Sequence, residues 1–312
     1  MDETALTHAE VLEISAVQPF NFDISARIFA NGDQKIRIYE NGKFHQVIRI
    51  HDKVAFCSVE SVGTVENPKL TIEIQTGDKL TAACREKAAT IVSALFNLDF
   101  DLGPFYEDIK TDNVMASITK KLFGLKSPTT QFAFEALTDS IVEQQISLKV
   151  AHALEVRLIK KWGDTVNVDG EVFYAYPTPK TLAVASPQEL RDIGLSQRKA
   201  EYIKNAASLI AEGNLNLETL KTYPDPDDII KELDEIRGIG VWTAELTMLR
   251  GMQRLEALPA DDLGLRRTIS HFYCIEKVIN SSQAREIAEN WGKWKGLAAY
   301  YLIVAEMLEK EP

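Results

Sequence analysis

The feature that most constrains the fold is a Gly-Ile-Gly turn between two predicted helices, at Gly238-Ile239-Gly240. Residues 225–235 have an acidic start and apolar residues at helical spacing, and a second helix is predicted from Val241 to about Arg250. Glycine tolerates positive φ and lets another backbone come close. The first amides of the second helix lack partners within it and lie at the positive end of its dipole. Such a turn can hold a phosphate through main-chain donors, without any base preference.

An ordinary corner between two helices also needs glycines for its sharp turn. The flanking pattern Leu-x-x-Ile-x-Gly-Ile-Gly-x-Trp-Thr-Ala, which starts at Leu233, is far more specific than the two glycines. We therefore predict a hairpin at residues 229–250 that clamps a DNA phosphate, with Ile239 filling the space between its helices. The predicted DNA-binding residues are Gly238, Ile239, Gly240 and Thr243.

Two adjacent carboxylates, Asp261 and Asp262, follow Leu258-Pro259 at the predicted start of a later helix. Capping that helix is the simplest role for either, since aspartate suits the N-cap position. Two carboxylates are more than a cap needs, and a helix N-terminus also keeps a carboxylate ionised in a partly dry pocket. A fixed negative charge of this kind suits the cleavage of an N-glycosidic bond, because the sugar develops oxocarbenium character.

Together the hairpin and the acidic pair resemble the helix-hairpin-helix DNA glycosylases, and in particular the 3-methyladenine DNA glycosylase II (AlkA-type) family. Further motifs agree: Glu-Gln-Gln-Ile-Ser at 143–147, Tyr-Pro-Thr-Pro at 176–179 and Leu-Ser-Gln-Arg-Lys-Ala-Glu-Tyr at 195–202. The resemblance covers nearly the whole chain and is most specific in its last two-thirds. It implies a base-excision repair enzyme that binds double-stranded DNA, flips out a damaged base and hydrolyses the N-glycosidic bond of alkylated purines such as 3-methyladenine.

The resemblance also implies roles for two residues. In that superfamily the catalytic aspartate precedes a helix in the register Asp-x-Gly-aliphatic-basic, and Asp262 to Arg266 fit it, whereas Asp261 needs a shift of one residue. Strand-cleaving relatives carry a lysine nucleophile where this chain has Trp242. The chain thus resembles the monofunctional branch, in which water is the nucleophile. Trp242 is predicted to stack on an alkylated base, with plain core packing as its alternative role.

Two further substrate contacts follow from the resemblance. By register, Gln145 falls at the position whose side chain fills the gap left by the extruded base; bonding of Gln144 and Gln145 to a loop backbone is an equally good interpretation. A pocket tryptophan of one relative falls on Ile303 here, and Tyr300 nearby is the predicted aromatic contact.

Two other functions stay open. One is an oxidised-purine (8-oxoguanine-type) glycosylase, against whose usual lyase chemistry Trp242 argues. The other is a non-catalytic helix-hairpin-helix protein that only binds DNA and has no use for Asp262.

Cysteine and histidine spacing predicts no metal site. Cys57, Cys84 and Cys274 are scattered without a Cys-x-x-Cys pair, the five histidines show no ligand spacing, and no phosphate-binding nucleotide loop is present. No cofactor is therefore expected. Without an apolar run that could span a membrane or a secretory leader, we expect an intracellular monomer, cytoplasmic in a prokaryote and nuclear in a eukaryote.

The net charge of −11 argues mildly against DNA binding, although binding depends on the local face rather than on the sum. Eight basic residues lie in the segments that would approach DNA: Arg198, Lys199, Lys204, Arg237, Arg250, Arg254, Arg266 and Arg267. We expect few phosphate contacts and a modest dependence on salt.

The predicted fold is α+β. Residues 1–104 form an N-terminal domain with an antiparallel β-sheet, in which strands at 35–40 and 43–50 flank an Asn-Gly turn, 54–59 and 69–75 are further strands, and 80–98 are helical. Residues 105–312 form a two-lobed helix-hairpin-helix domain that is almost wholly helical from Thr111. The C-terminal helical stretch is broken near Trp291-Gly292-Lys293-Trp294.

Overall fold

A computed structural model describes residues 4–30, 35–274 and 277–310. Its strands β1 to β6 are Thr4–Ala5, His8–Ser15, Arg37–Glu40, Lys43–Ile50, Lys53–Ser61 and Lys69–Thr76. Five of them form an antiparallel sheet in the order β2-β6-β5-β4-β3. The four predicted strands are confirmed, and the edge strand β2 is an addition. Asn41 and Gly42 have φ of 52° and 76°, so the predicted hairpin turn takes the left-handed conformation at both residues.

Two helices cover one face of this sheet and close an aromatic core. Helix α1 spans Phe22–Phe29 and α2 spans Ala82–Phe96. Phe96 lies at the centre, with its ring 5.0 Å from that of Phe44 and 5.3 Å from that of Phe22. All three phenylalanines are at most 3% exposed. Burial of these large rings, rather than a ligand, explains the aromatic residues of the N-terminal region.

A buried lysine ties this sheet domain to the helices that follow. Lys126 is fully buried, and its Nζ donates to the carbonyl oxygens of Val17 at 2.8 Å and Leu98 at 2.7 Å. The ammonium also lies over the ring of Phe20, 5.5 Å from its centroid. Burial lowers the pKa of Lys126 to about 8, because the charged form is desolvated.

The remaining chain is mainly helical. Helices α3 to α9 are Gly103–Ile109, Asn113–Lys121, Ala133–Glu143, Leu148–Trp162, Pro179–Val184, Pro187–Asp192 and Gln197–Ala211. Helices α10 to α15 are Leu217–Leu220, Pro226–Asp234, Val241–Met252, Leu263–Tyr273, Ser281–Ala288 and Lys295–Glu309. A 3₁₀ helix at Glu289–Trp294 separates α14 from α15, and Gly292 within it has a φ of 52°, which confirms the predicted break.

The helices surround two separate buried cores, as expected of two lobes. The first core is built mainly from α5, α6, α9 and α12, and the second from α4, α13 and α15. Helix α12 packs along α5 in the first lobe, while the segment after α12 leads to the second. The domain boundary placed at residues 104 and 105 falls within α3, and the division into two domains stays a prediction. No helix in the described residues has the length and apolar character to cross a membrane.

The expectation of an almost wholly helical chain after Thr111 is wrong at one place. Strands β7, Thr165–Val168, and β8, Glu171–Tyr174, form a hairpin, and β1 pairs with β7 in parallel. Asp169 and Gly170 form its turn, with φ of 51° and 87°. An Asp-Gly dipeptide between alternating apolar residues is a hairpin signal that the sequence carries. The parallel partner, more than 150 positions away, has no local signal.

Candidate active site

The Gly-Ile-Gly turn joins α11 to α12 as predicted. Gly238 has a φ of 95°, and a Cβ built on it would lie 2.1 Å from the Cγ of Tyr202 in α9. Glycine is thus required at position 238 for two reasons, the positive φ of the backbone and the closeness of the Tyr202 ring. Ile239 is only 3% exposed and belongs to the first core, which confirms that it fills the space beside the helices. Its amide donates to the carbonyl of Ile236 at 2.9 Å, so this amide serves the turn itself.

The amides available to a phosphate are those that open α12. Gly240 occupies the N-cap position and no side chain caps the helix, in contrast to α9, where Ser196 accepts from the amide of Lys199. The amides of Val241, Trp242 and Thr243 therefore have no intrahelical acceptor and lie at the positive end of the dipole. This geometry fits an anion held by main-chain groups.

Thr243, predicted to bind DNA, has a buried side chain that bonds to the protein. Its side chain is 2% exposed, and its hydroxyl accepts from Nε2 of Gln144 at 3.0 Å. The same Nε2 donates to the carbonyl of Gly238 at 2.9 Å. Any contact of Thr243 with DNA is thus limited to its backbone amide, and its side chain holds the turn in place.

The two glutamines have separate roles in the structure. Gln144 bonds to the hairpin, as one of the two interpretations states. Gln145 is exposed and has a φ of 55°, a left-handed conformation that is unusual for a residue with a long side chain. Within the described residues its side chain has no hydrogen bond, so it is available to a ligand. The Gln144 bonds fix this exposed residue beside the Gly-Ile-Gly turn.

Asp262 lies directly against Trp242. Its Oδ1 accepts from the amide of Leu265 at 2.7 Å and so caps α13, while its Oδ2 accepts from Nε1 of Trp242 at 3.3 Å. The side chain is half-buried, and Asp261 is exposed. Capping and a place at the site therefore coexist in one carboxylate. A Cβ on Gly264 would be 3.0 Å from Oδ1, which explains the glycine in this register.

Two charged residues that sequence reasoning missed support the turn before Asp262. Arg285 of α14 donates through two nitrogens to both carboxylate oxygens of Glu245 in α12, at 3.0 and 3.2 Å, and also to the carbonyl of Leu258 at 3.2 Å. Burial raises the pKa of Glu245, with the ion pair to Arg285 acting in the opposite direction. The available signal was a glutamate at an otherwise apolar position of α12, three residues after Trp242.

Tyr300 lies in α15 and packs against the second core. Its hydroxyl is buried without a hydrogen-bond partner among the described residues, and burial raises its pKa. The neighbouring Tyr301 is fully buried, with its hydroxyl donating to the carbonyl of Leu125 at 2.6 Å. Tyr301 is therefore structural, while the contact of Tyr300 with a substrate stays a prediction.

Most of the eight basic residues placed near DNA are engaged by protein groups instead. Arg250 forms an ion pair with Glu143 at 2.6 Å. The side chains of Arg237 and Arg267 are 76% and 72% exposed, and Arg198 is exposed as well. Those bonded to backbone carbonyls are Lys199, Lys204, Arg254 and Arg266. The helical segments near the turn thus offer few free cations. Within the described residues no cluster of His, Cys, Asp and Glu could hold a metal ion.

Comparison with known proteins places the geometry in context. The model of the HhH-GPD superfamily of base excision DNA repair proteins matches residues 138–293, half of the chain, including the hairpin and Asp262. The DNA-3-methyladenine glycosylase of Bacillus subtilis (strain 168) is 29% identical over 302 residues, which are 95% of this chain and 98% of that protein.

Two solved structures share the fold over nearly the whole chain. The 3-methyladenine DNA-glycosylase from Archaeoglobus fulgidus has a TM-score of 0.84 at 24% identity, covering 96% of this chain and 100% of that one. The 8-oxoguanine glycosylase/lyase of Clostridium acetobutylicum, in complex with double-stranded DNA, has a TM-score of 0.74 at 20% identity, covering 98% and 99%. At these identities the structural similarity establishes the α+β fold and does not identify the substrate.

Proposed function

Because the chain belongs to the HhH-GPD superfamily of base excision DNA repair proteins, we propose that it is a monofunctional DNA glycosylase that hydrolyses the N-glycosidic bond of alkylated purines such as 3-methyladenine. The observation that carries the proposal is the hydrogen bond between Asp262 and Trp242, because Trp242 lies on α12, the helix whose first amides are free for a phosphate. The name of the Bacillus subtilis relative, which is similar over 95% of the chain, supports the same substrate class.

Each residue of the site then has a chemical task. The amides that open α12 hold a phosphate of double-stranded DNA, and Gln145 enters the gap that the flipped base leaves. Asp262 places a negative charge beside the sugar as positive charge develops there, and orients water. Trp242 presents an aromatic face to the base, and Tyr300 provides a second aromatic contact.

Alkylated purines suit a site with one carboxylate. Such bases are already cationic, so they leave without a strong general acid, and stabilisation of the sugar is the main requirement. The side chain at position 242 carries no amine, so it cannot attack the sugar and form a Schiff base. This supports hydrolysis by water over strand cleavage, and it favours the alkylated-base function over the 8-oxoguanine-type alternative.

The decisive experiment measures release of methylated purines from alkylated duplex DNA, with strand breaks scored before and after alkali. We expect release by the wild type, with breaks only after alkali, and a loss of about a hundredfold or more in Asp262→Asn. Asparagine can still cap α13, so the fold should be retained. Asp261→Asn is the matched control and should keep its activity.

Other outcomes separate the alternatives. Breaks before alkali contradict a monofunctional mechanism. Release from 8-oxoguanine DNA but not from alkylated DNA supports the oxidised-purine function. DNA binding with no base release from any lesion supports the binding-only protein. If Asp261→Asn loses activity and Asp262→Asn keeps it, the catalytic role moves to Asp261.

A further inference from the structure

The turn that carries Asp262 is connected to α12 at both ends, through Arg285 of α14 at its start and directly at its end. It starts at Leu258, whose carbonyl accepts from Arg285, and ends at Asp262, whose carboxylate accepts from Trp242. Arg285 in turn bonds to Glu245, and Trp242 and Glu245 are three residues apart on α12. Residues at this spacing share one face of a helix. The contacts therefore form a closed ring from α12 through Arg285, along the turn, and back to α12.

The turn inside this ring is short and tightly bonded. Leu258 is 2% exposed, and its carbonyl also accepts from the amide of Ala260 at 2.7 Å. The amide of Asp262 donates to the carbonyl of Pro259 at 2.9 Å. With so few residues between the Arg285 contact and Asp262, a shift at Leu258 is transmitted directly to the carboxylate.

The bond from Arg285 to Glu245 is the part of the ring that a lysine could not reproduce. Both terminal nitrogens of the guanidinium face the carboxylate, and one of them also donates to the Leu258 carbonyl, so three hydrogen bonds use one planar group. Glu245 is 3% exposed, which makes the pair sensitive to the loss of either partner.

We infer that the Arg285–Glu245 pair is a positioning device that sets the place of the Asp262 carboxylate, and hence the rate of base release rather than the affinity for DNA. This inference rests on the proposed function for its activity readout. Neither residue touches the reacting atoms; they act through the Leu258–Asp262 turn. A misplacement of a catalytic group by about 1 Å can lower a rate by about a hundredfold.

The test compares Arg285→Gln, Arg285→Lys and Glu245→Gln with the wild type. Single-turnover release of methylated purine is measured at saturating enzyme, together with the Kd for duplex DNA that holds a stable abasic-site analogue. We expect Arg285→Gln to lower the rate by about tenfold to a hundredfold, and the Kd to change by less than about threefold. The rate of Glu245→Gln should fall by less, because the amide oxygen of the glutamine still accepts from Arg285.

A spectroscopic readout follows the position of Asp262 without activity. The indole N–H resonance of Trp242 is assigned with Trp242→Phe in the ¹⁵N-labelled protein. It should move in Arg285→Gln, and further in Asp262→Ala, because its acceptor is displaced or removed. The control is Arg85→Gln, which breaks the 2.8 Å pair with Glu10 in the sheet domain and should change neither rate nor resonance.

The outcomes are distinguishable. A folded Arg285→Gln with a wild-type rate, or with an unmoved Trp242 resonance, overturns the inference. An equal loss of rate and DNA affinity also overturns it, because the pair would then support the fold as a whole and not the position of Asp262 in particular. If Arg285→Gln does not fold, Arg285→Lys and Glu245→Gln decide the question by the same readouts. A wild type that releases no base refutes the proposed function alone, and the resonance still tests the positioning.

Discussion

The ring of Tyr202 occupies the space that any side chain at Gly238 would need. A Cβ at position 238 would lie 2.1 Å from Cγ of that ring, which is closer than two nonbonded carbon atoms can approach. Tyr202 belongs to α9 and Gly238 to the turn before α12, so the ring sets how closely the two helices approach. The Gly-Ile-Gly turn is thus shaped by a helix other than the two that it joins.

Gly238→Ala should unfold more easily and lose DNA binding. The positive φ and the Tyr202 contact together should lower the free energy of unfolding by about 1–3 kcal/mol. Gly240→Ala is the control, because Gly240 has a φ of −101° and the nearest atom to a built Cβ is 3.9 Å away. The free energy of unfolding of Gly240→Ala should fall by at most about 1 kcal/mol, because alanine is a poor N-cap. Urea unfolding of both variants checks this, and equal stabilities would contradict it.

Gln145→Gly should slow base release without destabilising the protein. Gln145 is held at a φ of 55°, which costs a residue with a side chain about 1–2 kcal/mol and glycine almost nothing. The stability should therefore stay equal or rise by up to about 1 kcal/mol, since the greater freedom of unfolded glycine offsets part of the gain. The single-turnover rate should fall by about tenfold, as nothing fills the gap in the base stack.

Gln145→Leu serves as the matched variant, because it keeps a side chain of similar length. It should retain most of the activity. A rate for Gln145→Gly equal to that of the wild type would show that position 145 does not enter the DNA.

DNA affinity should depend only weakly on salt. Most cations near the turn bond to protein groups, and Arg237, whose side chain is 76% exposed, is among the few available, with Glu201 3.4 Å away. Arg237→Gln should reduce the slope of log K against log salt by about 1, which corresponds to one phosphate contact. Fluorescence anisotropy at several salt concentrations measures the slope. An unchanged slope would remove Arg237 from the interface, and Arg85→Gln should leave it unchanged.

The stability that Lys126 contributes should rise with pH above about 8. In the folded protein its pKa is lowered to about 8, whereas in the unfolded chain it is near 10.4. Between these values the unfolded state binds more protons, so the free energy of unfolding increases as pH rises. The neutral amine keeps two N–H groups, which match the two carbonyls of Val17 and Leu98.

Lys126→Met removes this titration and takes the Lys126 donor away from the Val17 carbonyl, whereas the Leu98 carbonyl still accepts from the amide of Val17. Its destabilisation relative to the wild type should be larger at pH about 10 than at pH about 7, as measured by urea unfolding. Lys53→Met is the control, because the side chain of Lys53 is 67% exposed. A difference that does not change with pH would exclude the lowered pKa.

Local signals in the sequence were enough for several turns and helix starts. Asn41-Gly42 in the sheet, the acidic start of α11 and the Gly-Ile-Gly turn each encode a backbone conformation within a few residues. The Asp262 cap of α13 likewise depends on neighbours only. These features were predictable because glycine, asparagine and aspartate have conformational preferences that persist in most contexts.

What could not be predicted depends on partners far apart in the sequence. The pair of Glu245 with Arg285 joins residues forty positions apart, and Lys126 bonds to carbonyls at 17 and 98. The same holds for most of the eight basic residues in the segments expected to approach DNA. Lys199 and Lys204 have no local partner in the sequence, and both are bonded to distant carbonyls once the helices of the first lobe pack.

The pairing of β1 with β7 also affects the order in which the chain can fold as it is made. Thr4 lies opposite Val166, so β1 leaves the ribosome long before its partner exists. Strands β2 to β6 have all their pairing strands by Thr76, and the two helices that pack on them are complete by Phe96, so that sheet can close early. Strand β1 is consequently among the last strands to be paired, because it can dock only after synthesis has passed residue 168.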